Sequence, residues 1–189
     1  MAFFHKKVGS QRIGLLATDL LGQKMPVIEI KTRVNAPIEI VFNLSRSIAL
    51  HLESTTKTKE RVISSHTSDL LGLGDEVTWE ATHFGVRQRL TTVITEYRFP
   101  IHFRDSMVAG AFHEFDHDHF FERDQGRVLM TDRFDYTSPL GIWGRVADVL
   151  FLKRYMRNFL VSRNQIIKSL AESGKSGVYL GDHKLTDRC

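Results

Sequence analysis

Phe103-Arg-Asp-Ser-Met-Val-Ala-Gly-Ala-Phe-His-Glu-Phe-Asp-His-Asp-His-Phe-Phe121 reads as two β-strands around a small-residue turn at Gly110. Strand side chains alternate between faces, so Phe115, His117, His119 and Phe121 fall in a row on one side of the second strand. A sheet face that mixes aromatics with imidazoles is unusual for a plain core. It suits the wall of an apolar cavity with polar points inside it.

Further strands surround this pair. Val27–Val34 alternates apolar with polar, and strands follow over Glu60–Ser64, Asp75–Phe84, Arg87–Arg98, Ile101–Val108, His113–Arg123 and Arg127–Thr137. Their connections at Gly72-Leu-Gly74, Gly85, Pro100, Gly110 and Asp124-Gln-Gly126 are tight, so consecutive strands pair antiparallel. After the first strand, Asn35-Ala-Pro-Ile-Glu39 reads as a helix start with Asn35 as its cap and Pro37 in its first turn. Ser45-Arg-Ser47 then opens a second short helix over Ile48 to Leu52. Pro139 and Gly141 end the sheet. A long helix follows from about residue 140 to 173, with an apolar stripe of Ile142, Val146, Val149, Met156, Leu160, Ile167 and Leu170. The expected fold is α+β: a curved seven-stranded antiparallel sheet around a long C-terminal helix, with two short helices after strand 1. One helix cannot fill the concavity of seven twisted strands, so a pocket between them is expected.

With 189 residues the chain suits one domain. The boundaries are an N-terminal extension over 1–25, flexible or a small helix, with Met25 an alternative start; a domain over 26–173; and a flexible tail over 174–189 rich in Gly and charge. A composition 42% hydrophobic and 25% charged is that of an ordinary globular chain. Cys189 is the one cysteine, which excludes an internal disulfide and a cysteine-based zinc site and fits a reducing, cytoplasmic location. No apolar run reaches the ~18–20 residues that cross a bilayer. Asp19 interrupts the short apolar run after Lys6, Lys7 and Arg12 that would otherwise resemble a signal peptide. The net charge of +4 permits an anionic partner without implying one. GxxxxGK[ST], GxGxxG and GxSxG are all missing, which withdraws support from nucleotide hydrolysis, dinucleotide redox chemistry and elbow-type esterase chemistry.

Three places carry a family resemblance over roughly residues 27 to 172. They are Val34-Asn-Ala-Pro37 through Val41-Phe-Asn-Leu44; Leu73-Gly-Asp-Glu-Val-Thr-Trp79; and a third set. The third set joins Phe103-x-Asp105-x-Met107-x-x-Gly110-x-Phe112 to Phe115-x-His117-x-His119-x-Phe121, Met130-x-Asp132 and Tyr136-x-x-Pro139-x-Gly141. The chain resembles the START-like, or SRPBCC, superfamily of the helix-grip fold, which includes birch-pollen-allergen-like proteins, polyketide cyclases and coenzyme-Q-binding proteins. The third set is similar to a bacterial branch labelled "cell division inhibitor"-like, which implies no established reaction. The superfamily resemblance implies a deep cavity for a hydrophobic ligand.

His117 and His119 lie two apart on a strand, about 7 Å along the backbone, and project from one face. That spacing can ligate a metal with Asp105 or Asp132 as third ligand. It equally builds a hydrogen-bonded polar cluster that orients a ligand, and this is the reading adopted: no metal and no cofactor is assigned. A three-residue loop at Gly110-Ala-Phe112 puts Asp105 opposite His117. A two-residue turn at Asp124-Gln125 puts Asp132 opposite His117 as well, whereas a bulge at Gly126 moves Asp132 to the other face. These four residues are also the candidates for proton-transfer catalysis. Trp79, Phe103, Met107, Phe115, Phe121, Met130, Phe134 and Tyr136 complete the expected ligand-binding set. His83, His102 and His113 read as surface or rim residues.

On the long helix, Lys153, Arg154, Arg157, Arg163 and Lys168 interleave with Phe151, Tyr155 and Phe159. A solvated outer face is the simplest account, and peripheral contact with an anionic membrane is the alternative. No nucleic-acid-binding motif is present. The function expected is binding or transport of a hydrophobic small molecule such as a lipid, quinone or polyketide-like compound. A cyclase- or hydratase-like enzyme using the His/Asp cluster, and an interaction protein of the cell envelope or division machinery, are the alternatives.

Overall fold

The computed structural model describes residues 26–56, 59–64, 69–83, 85–137 and 151–180. The elements run β1 (Val27–Val34), α1 (Ile38–Ser45), α2 (Ile48–Ser54), β2 (Arg61–Val62), β3 (Glu76–His83), β4 (Val86–Arg98), β5 (His102–Ala109), β6 (Glu114–Asp124), β7 (Arg127–Thr137), α3 (Lys153–Glu172) and α4 (Gly177–Leu180). All seven strands form one antiparallel sheet in the order β1-β7-β6-β5-β4-β3-β2. This is the α+β architecture that the alternation and the short connections require. The extension over 1–25, the helix start with Ile142, Val146 and Val149, and the last nine residues lie outside the described residues. No helix among the described residues is long and apolar enough to cross a membrane.

The sheet curves because β4 slips register against β5 twice, between Thr91 and Thr92 and between Ile94 and Glu96. Its concave face carries the core, and α3 lies across β1 at one side of it. Ile28, Ile30 and Val34 of β1 and the even-numbered residues Val128 to Tyr136 of β7 turn inward, as alternation dictates.

α1 plugs the lower end. All its residues but Glu39 are buried, and Phe42 meets Tyr97, Phe99 and Phe103 edge-on at centroid distances of 5.5, 5.2 and 5.4 Å. Full burial of one such ring contributes roughly 2–3 kcal/mol, and the edge-to-face contacts add to it. Asn35, expected as the cap of α1, does something else: its backbone N–H donates to Glu172 Oε1 at 2.8 Å, tying the end of β1 to α3. Pro37 occupies the cap position instead. Ser47 caps α2 by accepting from the Leu50 N–H.

Within the region expected to be a flexible tail, Gly177–Leu180 form α4; residues 181–189 lie outside the described residues. Leu180 is buried in the lower core and the Tyr179 hydroxyl donates to Glu53.

The hairpin registers position the site. Asp105 pairs with His117, the pairing that a three-residue loop gives, although the β5–β6 ladder stops at Ser106 and Asp116. The β6–β7 turn is Gln125-Gly126, both with positive φ (50° and 78°), and Asp124 pairs with Arg127. The turn therefore sits one residue later than the one expected from Asp124-Gln125. Each partner moves by two, so Asp132 stays on the concave face but stands opposite His119 rather than His117.

Candidate functional site

Between the sheet and α3 lies a cavity of about 370 Å³. Trp79 and Ala81 of β3, Leu90 and Ile94 of β4, Phe103 of β5, Phe115 of β6 and Phe134 of β7 line its sheet side. Tyr155, Met156, Phe159 and Leu160 of α3 line the opposite side. Asp105, His117, His119 and Arg163 bring polar atoms to the same wall system.

Not every residue expected to face a ligand lines this cavity. Phe121 and Met130 lie below the cavity in the packed cluster around α1, because the α1 aromatics fill that end of the concave face. Met107 and Tyr136 belong to the upper apolar cluster, where Phe112 meets Tyr136 edge-on at a ring distance of 5.6 Å. Asp132 sits behind the two imidazoles and is wholly buried.

The polar cluster is compact. His119 places Nε2 3.1 Å from Asp105 Oδ1 and Nδ1 2.9 Å from Asp132 Oδ1. His117 places Nδ1 3.7 Å from Asp105 Oδ1 and Nε2 3.2 Å from Asp132 Oδ1. The two rings lean together to a centroid distance of 3.9 Å. Phe103 stacks on the outer face of His119 at 4.2 Å, and Phe134 meets His117 edge-on at 5.4 Å. Asn164 donates from Nδ2 to Asp132 Oδ2 at 2.6 Å, and Arg163 Nη1 approaches Asp132 Oδ1 to 3.8 Å while its other nitrogen donates to the Ser45 carbonyl.

The approaches to Asp132 Oδ1 are close but poorly directed. His117 Nε2, His119 Nδ1, Asp132 Oδ1, Arg163 Nη1 and Asn164 Oδ1 are all buried without a hydrogen-bond partner in the protein. Such a concentration in one place is uncommon in folded chains.

Charge is shared unequally within the cluster. Burial by itself would raise the Asp132 carboxyl, but the facing His117 and His119 hold it well below the usual carboxylate range. Asp105 is likewise lowered, against burial, by His119 and His117. His119 is raised: burial opposes its charged form, but Asp105 and Asp132 on either side prevail. His117 is lowered by burial and then by the charge of His119. One imidazole is thus favoured charged and its neighbour neutral. The pair can donate to and accept from a carbonyl, hydroxyl or carboxylate at the cavity floor. Asp105, His117 and His119 also present three ligand-type atoms within 4.8 Å of one another.

Sequence reasoning assigned Arg163 to a basic outer face. The structure buries it, and Asn164 beside it, because positions 163 and 164 stand three and four residues after Leu160 on the inward stripe of α3. Tyr155 and Phe159, read as interleaved with that outer face, line the cavity. Of the remaining basic residues, Lys153 and Arg154 are exposed, Arg157 donates to the Glu29 carbonyl, and Lys168 pairs with Glu172.

A second polar group lies at the cavity; its members His51 and Glu60 were missed, whereas sequence reasoning read His83 as a surface or rim residue. His51 lies against Trp79 at 4.2 Å, its ring tilted by 34°, and faces Glu60 at 3.4 Å. His83 joins it from β3, with Nδ1 2.7 Å from the Tyr155 hydroxyl. His113 is exposed, as expected. His102 is not a surface residue: it is buried on the convex face, 2.8 Å from Asp118, which also accepts two hydrogen bonds from Arg104. The flat ring of Phe120, stacked on His102 at 4.6 Å, covers it from solvent.

No family model matches the chain, and no curated protein matches its sequence. Solved structures do match its shape. A protein from Thermus thermophilus superposes with a TM-score of 0.62 at 14% identity, over 79% of this chain and 99% of that one. Ginseng major latex-like protein 151 from Panax ginseng gives 0.59 at 15% identity, over 79% and 99%. Ara h 8.0201 gives 0.52 at 12% identity, over 77% and 99%. At such identities the likeness shows the fold, and the fold is the helix grip that the START-like resemblance implied.

Proposed function

We propose that this chain binds an apolar small molecule in the cavity between the sheet and α3, with the molecule's polar end against Asp105, His117 and His119. One observation carries the reading: about 370 Å³ of space lined mainly by aromatic and aliphatic side chains, with its polar groups gathered into clusters. Small-molecule sites typically occupy about 300–1,000 Å³ and combine apolar walls with a few convergent polar groups. Burial of the ligand's apolar surface would contribute ~25 cal/mol per Å², and the His/Asp cluster would fix its orientation. Lipid-, quinone- and polyketide-like compounds all meet this description.

The experiment is native mass spectrometry of the purified chain, followed by titration with the fluorescent apolar anion 1-anilinonaphthalene-8-sulfonate. One bound equivalent, displaced competitively by long-chain fatty acids or isoprenoid quinones, is the expected result. A folded protein that carries no small molecule and takes up no apolar probe would overturn the reading.

A further inference from the structure

Asp105 Oδ1, His117 Nδ1 and His119 Nε2 converge on one point at the cavity floor. The carboxylate oxygen is 3.7 Å from the first nitrogen and 3.1 Å from the second, and the three residues each offer one ligand-type atom, all within 4.8 Å of one another. Ligands held about 2.0–2.2 Å from a common ion stand roughly 3–3.5 Å apart, so modest side-chain rotation brings this set to bonding distance. Two imidazoles and one carboxylate are the donor set of zinc and its first-row neighbours, not of calcium or magnesium, which take oxygen.

The atoms on the far side of the rings supply the independent observation. His117 Nε2 and His119 Nδ1 both face Asp132 Oδ1, at 3.2 and 2.9 Å, and all three atoms are buried without a hydrogen-bond partner. A histidine bound to a metal through one nitrogen characteristically presents the other to a carboxylate, which fixes tautomer and ring orientation. Here one carboxylate serves both rings, and Asn164 and Arg163 hold that carboxylate in turn.

We propose that Asp105, His117 and His119 form a binding site for a divalent first-row transition-metal ion, with Asp132 orienting both imidazoles. The three protein ligands come from two adjacent strands, so the remaining coordination positions face the cavity. Where an apolar ligand occupies that cavity, a step that rests on the function proposed above, its oxygen-bearing end (a carboxylate or enolic oxygen) is the group the ion would hold.

The full-length chain is dialysed against EDTA and then titrated with zinc(II) by calorimetry and with cobalt(II) by visible absorption. One equivalent binds with micromolar or tighter affinity and raises Tm with the logarithm of free metal above Kd. Asp105→Ala and His119→Gln each lose at least tenfold in affinity, Asp132→Asn loses roughly 10–100-fold, and the exposed-site control His113→Gln leaves it unchanged. Should His119→Gln fail to fold, Asp105→Ala decides alone, because Asp105 lies at the cavity surface rather than in the packed core. Failure of the folded chain to bind either ion, or binding that Asp105→Ala leaves intact, overturns the proposal. Uptake of 1-anilinonaphthalene-8-sulfonate by the same EDTA-treated sample separates the two ideas. Probe uptake without metal binding sinks the metal site alone, and metal binding without probe uptake sinks the apolar-ligand reading alone.

Discussion

Asp132 Oδ1 stands 2.9 Å from His119 Nδ1, directly across the β6–β7 ladder, at the centre of a cluster whose other members come from β5 and α3. This carboxylate is wholly buried, and it opposes both the Arg163 guanidinium and the charged form of His119. Removing it leaves buried positive charge facing Asp105 alone. Breaking a buried ion pair from one side costs about 3–5 kcal/mol, so Asp132→Ala is expected to lower stability by that amount in urea unfolding. A loss below about 1 kcal/mol would mean that Arg163 and His119 find other partners.

The cavity and the packed cluster beneath it respond oppositely to substitution. Ala81 is buried, lines the cavity and sits on β3, where an aromatic residue is at home. Ala81→Trp should therefore fill space rather than create strain. It is expected to reduce 1-anilinonaphthalene-8-sulfonate binding at least tenfold with a stability change under about 1.5 kcal/mol. Phe121→Ala opens a void in the α1 cluster and is expected to cost about 3–5 kcal/mol while leaving the cavity walls in place. Equal effects of the two changes on probe binding would show that the probe does not sit where Ala81 is.

Strand β6 announced its own geometry: alternation alone places Phe115, His117, His119 and Phe121 together, and the short loop places Asp105 opposite His117. The depth at which each residue meets the cavity was not legible. Whether Phe121 touches a ligand or a packed ring depends on how far α1 intrudes, and no local pattern encodes that. Arg163 and Asn164 were hidden for a different reason. A helix rich in Lys and Arg suggests a solvated face, yet Leu160 and Ile167 bracket these two positions on the buried stripe. Polar residues at three and four places along an apolar stripe are the signal, and charge counting overrode it. His102 was misplaced because a convex strand face reads as solvent-exposed until Phe120 and Arg104 are seen to cover it.

The β6–β7 turn decides which imidazole Asp132 meets, and its chemistry is imperfect. Gln125 adopts φ 50°, a region that asparagine and glycine tolerate better, and it precedes Gly126 at φ 78°. Gln125→Asn restores the preferred Asn-Gly pair and is expected to stabilise the chain by about 0.5–1 kcal/mol. Gly126→Ala isolates the backbone cost, because a Cβ there meets nothing within 4 Å. It is expected to destabilise by about 1–2 kcal/mol with no packing contribution. A neutral Gly126→Ala, measured by chemical denaturation, would place the turn elsewhere and put the pairing of Asp132 with His119 in question.

His83 gives the cavity a pH dependence whose sign is fixed by burial. Its ring is half enclosed, accepts or donates a 2.7 Å hydrogen bond with the Tyr155 hydroxyl, and meets Phe159 edge-on at 6.2 Å. Burial lowers its pKa below the ordinary 6.5, and the more distant charge of Glu60 only partly offsets this. An imidazole lowered on folding takes up its proton first in the unfolded chain. Stability from this group is therefore complete above about pH 6.5 and falls as pH drops from there toward the lowered folded value. His83→Gln keeps a hydrogen-bonding side chain and removes the titration. The gap in Tm between the native chain and His83→Gln should favour the native chain most at pH 7.5 and narrow steadily toward pH 5. A gap that stays constant or widens on acidification would show that the ring is protonated in the fold, with Glu60 rather than burial deciding its charge.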